Sequence, residues 1–136
     1  MTSTGEVYLN LFGDAFDPDE VDRYIGLAGA IVRRKGERRP EVPLPRVSAW
    51  TFSTGKVEDE VIDVYAMSEA LIAKLAPYVQ KIVKVKEKFG LACVLQVVLW
   101  IDQDEKKSMP AIGFELAVID FLNSVGGTID IDTYRN

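Results

Sequence analysis

The chain contains no histidine among its 136 residues. That single fact removes Ser-His-Asp and Cys-His nucleophilic sites, imidazole general bases and nearly every ordinary zinc site. The only cysteine, Cys93, lies inside the apolar run LACVLQVVLWI with no basic neighbour in sequence. A thiol so placed stays protonated, and packing is its expected job. Asp102 and Asp104 begin a D-x-D pattern, but an EF-hand loop would then need an oxygen ligand, a glycine and a glutamate where Lys106, Lys107 and Gly113 stand. Asp17, Asp19 and Asp22 fail the same test, and helix capping accounts for the first two. Asp130 and Asp132 stand two apart on one strand face, where a glycosidase pair would be arranged, yet charges guarding an exposed strand explain them more simply. The glycines are scattered at turns and helix ends and form neither a phosphate loop nor a dinucleotide fingerprint. The expectation is therefore no catalytic residue, no metal and no cofactor.

Two features suit binding instead. From Arg33 to Arg46 the chain carries six basic and two acidic residues, and Arg33, Arg34, Lys35, Arg38 and Arg39 offer charged donors that grip carboxylates. On a chain with a formal net charge of -5, that cluster points to an acidic protein partner, against the plainer reading of a solvated hairpin loop. The second feature is a strand face with Tyr8, Asn10 and Phe12, expected to align with Gln96 and Trp100, and with Trp50 and Phe52 if the parities match. Aromatic anchors among amides suit an interface; core packing or a homodimer seam are the alternatives.

These residues need elements to position them. Residues 6–12 alternate with the period of a strand, and in DPDEVDRYIGL Asp17 caps a helix, Pro18 takes its first turn, Glu20 closes a capping box and Gly26 ends it. A strand over 28–34 runs into the basic segment, whose Pro40, Pro43 and Pro45 make a loop before a third strand over 47–53. The spacing of Val57, Val61, Val64, Leu71 and Leu75 predicts a long helix that Pro77 stops or bends, with a continuation to Phe89 closed by Gly90. The strand 92–101 is apolar at both parities and reads as a central strand covered on both sides over much of its length. A helix over 110–123 and a strand at TIDIDTY complete the order. These readings predict a single α+β domain over 1–136, with about five strands in a mixed, mostly antiparallel sheet and helices mainly on one face.

Composition agrees with an ordinary globular chain: 48% apolar and 27% charged residues. The acidic balance disfavours nucleic acid and anionic membranes as partners, and a start without a basic, apolar leader predicts a cytoplasmic protein.

The order of marks FGDAFDPDEVDRYIGL, RRKGE, SAWTFST, a helix leading to LIAKLAP, a buried strand and GGTIDIDTY resembles a bacterial family of small single-domain proteins, domain of unknown function 4279. The resemblance covers nearly the whole chain. It implies an α+β domain without an established reaction, and an association with small cytoplasmic immunity proteins that neutralise toxins. It carries over no catalytic residue and draws attention to Asp17, Pro18, Gly26, Lys35, Gly36, Trp50, Leu75 and Tyr134, each of which already has a role as cap, turn, strand or terminus. The function expected is non-enzymatic protein binding through the basic loop 33–46. The alternative is a histidine-free enzyme or small-ligand binder that uses surface carboxylates and the aromatic face.

Overall fold

A computed structural model of the chain describes residues 2–14, 16–36 and 47–135. Along β1 (Ser3–Gly13) every second side chain as far as Leu11 is buried, and those between are only half-buried. A strand alternates its side chains between two faces, so β1 must sit with one face against a core. It pairs antiparallel with β3 (Ser48–Asp59) on one side and with β4 (Ala92–Ile101) on the other. Outside β3 lies the short antiparallel β2 (Ile31–Arg33), and outside β4 the parallel β5 (Thr128–Arg135), giving the order β2-β3-β1-β4-β5. The sheet is thus mixed and mostly antiparallel, as the sequence predicts.

A parallel neighbour requires a crossover, and α4 (Leu116–Val125) supplies it between β4 and β5. The other helices are α1 (Pro18–Ile25), α2 (Val64–Leu75) and α3 (Val79–Phe89). Their buried side chains, among them Val21, Ile25, Leu71, Leu75, Ile82 and Val85, join Val7, Leu9 and Leu11 of β1 and Leu95, Val97 and Leu99 of β4 in one apolar cluster. Full burial of each such side chain contributes about 1.5–3 kcal/mol, so this layer holds the sheet in place.

Local chemistry sets the helix ends. Asp17 accepts a 3.0 Å hydrogen bond from the Asp19 amide, Pro18 occupies the first turn, and Gly26 ends α1 with φ 74°, a conformation that favours glycine. Glu20 does not close a capping box. Its carboxylate lies 3.3 Å from Lys88 Nζ on α3 instead.

Two helix starts differ from the expected ones. Val57 pairs with Gly5 as part of β3, and α2 begins only at Val64, where the Asp63 side chain accepts from the Ala66 amide at 3.2 Å. Helical spacing of valines there coincides with a β-ladder, and the ladder wins through its hydrogen bonds to β1. Likewise α4 begins at Leu116 rather than near Pro110, because Ala111 exchanges backbone hydrogen bonds with Ile62 and Val64 at 2.8 and 2.9 Å. Gly113 then passes so close to the Tyr65 ring that a Cβ would sit 1.9 Å from Tyr65 Cζ.

Trp50 is the largest fully buried side chain, and its indole N–H donates to Asp22 Oδ1 of α1 at 3.0 Å. This bond ties α1 to β3. No helix among the described residues is long and apolar enough to cross a membrane. Replacing Asp22 by Ala leaves that indole donor without its acceptor and is expected to cost about 1–3 kcal/mol in urea unfolding, whereas Asp22→Asn, which keeps an acceptor, costs clearly less. Equal losses for the two variants would contradict the bond.

Candidate functional site

The side chains of β1 that do not enter the core are Thr4, Glu6, Tyr8, Asn10 and Phe12, and the sheet register extends their face in both directions. Tyr8 lies opposite Ser53 and Gln96, and Asn10 opposite Thr51 and Val94. On the far strands, Ile31 lies opposite Thr51 and Arg33 opposite Ala49, while Asp130, Asp132 and Tyr134 lie opposite Gln96, Val98 and Trp100. Apart from Pro18 and Ser68, the buried side chains of the described helices belong to the cluster on the other face. Among the described residues the helices cover one face of the sheet and leave this one open, although Ala49 and Thr51 are buried here as well.

A bulge adds a further residue. Between Glu6 and Tyr8 the register shifts, so that Thr54 and Gly55 of β3 stand against Val7 alone. Gly55 takes φ 99° there, and the extra residue reverses the facing of the rest of β3. Lys56 therefore turns to the open face, where its Nζ lies 4.7 Å from the centre of the Trp100 ring. Trp100 in turn stacks on Tyr134, with ring centres 6.1 Å apart and planes 22° from parallel.

Polar groups across this face are linked to one another. The Thr51 hydroxyl donates to Asn10 Oδ1 at 2.9 Å, the Ser53 hydroxyl to Glu6 Oε2 at 2.6 Å, and Gln96 Nε2 to Asp132 Oδ2 at 3.3 Å. Tyr8 sits among them, half-buried. Burial raises its phenol above the ordinary value, the carboxylates of Glu6 and Asp132 raise it further, and Arg33 pulls it back. The phenol is thus neutral and a ready hydrogen-bond donor across the physiological range. It also senses both ends of a charge gradient, with Arg33 at the β2 edge and Asp132 at the β5 edge.

The structure sorts the residues expected to bind. Tyr8, Trp100 and Arg33 share the open face. Trp50 does not, because it lies opposite Leu11 and Val32 on the covered side and is 0% exposed. Phe52 is buried with it, so the expected alignment of both with Tyr8 is corrected: alternation along β3 puts Thr51 and Ser53 on the open face instead. Arg34 turns to α1, where its guanidinium lies 3.2 Å from Asp17 Oδ1 and also bonds Asp19, and Lys35 Nζ lies 2.8 Å from Asp14 Oδ1. These two charges compensate neighbours of their own chain. Arg38 and Arg39 lie outside the described residues.

The expectation that β4 is covered on both sides also changes. Its odd-numbered positions from Cys93 to Leu99 are buried, while Val94, Gln96, Val98 and Trp100 are half-buried on the open face. Cys93 is 3% exposed, and burial pushes its thiol up to about 11, so it packs as an apolar side chain. Among the described residues no group of three or more Cys, Asp or Glu side chains is placed to hold a metal ion.

The described residues form an α+β domain in which helices pack on one face of a mixed five-stranded sheet. The chain belongs to the family described as Domain of unknown function (DUF4279), whose match covers residues 2–136. No curated protein and no solved structure matches it.

Because the fold favours the neutral phenol of Tyr8, that preference adds stability below the ordinary value of 10.0 that is lost as pH rises through the raised one. In an NMR titration of labelled tyrosines, Tyr8 is expected to titrate above 10.0, Arg33→Gln to move it further up, and Glu6→Gln to move it down. A Tyr8 that ignores the loss of Arg33 would contradict the arrangement.

Proposed function

We propose that the protein is a non-enzymatic protein-binding domain whose contact surface is the open sheet face, and that Arg33 at its β2 edge selects an acidic partner. The observation that carries this reading is the half-buried set Tyr8, Gln96 and Trp100 on a face to which no described helix turns its buried side chains. Aromatic rings supply contact area at low entropic cost, and hydroxyls and amides beside them supply orientation. The non-enzymatic part of the reading is supported by the missing histidine and by the buried, protonated Cys93. The described half of the basic segment contributes through Arg33, since Arg34 and Lys35 already hold carboxylates of their own chain.

A photo-crosslinking amino acid placed at Val98, on β4 beside Asp132 at one side of the open face, is expected to form a protein adduct in cells. The same residue at Glu69, on the outside of α2, is expected to form none. Arg33→Glu should reduce the Val98 adduct at least tenfold by weakening an oppositely charged contact. Adducts at Glu69 and none at Val98 would overturn the reading.

A further inference from the structure

Apart from Glu6, Lys56 and Glu58, which stand together on β1 and β3, the open face carries its charges at opposite corners. Arg33 pairs with Ala49, which is level with Phe12 near one end of β1, whereas Asp132 pairs with Val98, which is level with Glu6 toward the other end. Arg33 stands at the β2 edge and Asp132 at the β5 edge, so the line joining them runs diagonally across the face. Such a face is complementary to itself. A two-fold axis lying in the plane of the face and crossing β1 near Tyr8 exchanges the two corners, so that each copy's arginine meets the other's aspartates in an isologous contact.

We propose, building on the reading of this face as a contact surface, that the acidic partner is a second copy of this chain, seated face to face over Tyr8 with Arg33 of each copy against Asp132 of the other. Exchange about a diagonal axis crosses the strands of the two sheets at a large angle, the orthogonal mode of sheet packing. The area suffices for a reversible dimer. Four strands of about eight residues and the three-residue β2, spaced ~4.8 Å apart at ~3.4 Å per residue, give roughly 570 Å² per copy and roughly 1,100 Å² in all, the size of a weak, reversible interface. The sheet edge is a poorer seat for the same partner. Antiparallel pairing of β5 with its own copy sets its aspartates level with or beside one another in its central registers, and like charges at that spacing repel.

The test is the molar mass in solution, by sedimentation at about 100 μM, of the intact chain, of Arg33→Glu, of Asp132→Arg and of an equal mixture of the two variants. The intact chain is expected at twice its 15.1 kDa mass. Each variant alone sets like charges at both contacts and is expected to associate at least tenfold more weakly. Their mixture restores two attractive contacts and is expected to return to the dimer mass, which an unfolded variant cannot do. A dimer whose mass neither reversal changes would overturn the proposal. So would a monomeric intact chain, and if the Val98 crosslinker then still captures another protein, the open-face reading survives while self-association falls. If that crosslinker captures nothing, both fall.

Discussion

The two-residue period of β1, held at the middle of the sheet, is the constraint on which the rest of the structure depends. Val7, Leu9 and Leu11 are fully buried against the helix layer, and their burial fixes which way every neighbouring strand must turn its side chains. A slip of one residue would drive Tyr8 and Asn10 into the core and Leu9 into water. Hydrophobic burial on one side therefore specifies, at no further cost, which residues stand on the other.

Much of this was legible in the sequence because local signals agreed with the final packing. The Asp17-Pro18 start and Gly26 end of α1, the alternation of β1 and the position of β5 were all visible. Failures came where two periodicities overlapped or where tertiary partners decided. Val57 and Val61 fit a helical stripe, but a strand already paired with β1 claims Val57, and Asp63 supplies the cap that starts the helix later. Ile112 fits the stripe of α4, but Ala111 is bound to the backbone on either side of Asp63, which holds that segment out of the helix.

The candidate face was half legible for a related reason. Tyr8 and Trp100 lie at even positions of strands whose odd positions are plainly apolar, and the register aligns them. Trp50 lies at an even position too, but parity is counted from the partner strand: it stands opposite Leu11, and so faces the core. Lys56 reaches the face only because the bulge at Gly55 reverses the alternation, and a glycine after threonine in a strand was the one local sign of it. The basic segment reads as a single cluster in the sequence, yet the structure divides it, since Arg34 and Lys35 turn to Asp17, Asp19 and Asp14 while Arg33 faces outward along the sheet.

Each face of the sheet carries one of the chain's two tryptophans, and this gives the asymmetry of the sheet its most direct measurement. Acrylamide quenching of fluorescence at nanomolar protein would compare Trp50→Phe, which leaves only Trp100, with Trp100→Phe, which leaves only Trp50. The account predicts that Trp100 is quenched several-fold more strongly than Trp50. Equal quenching of the two, or a Trp50 more accessible than Trp100, would contradict it.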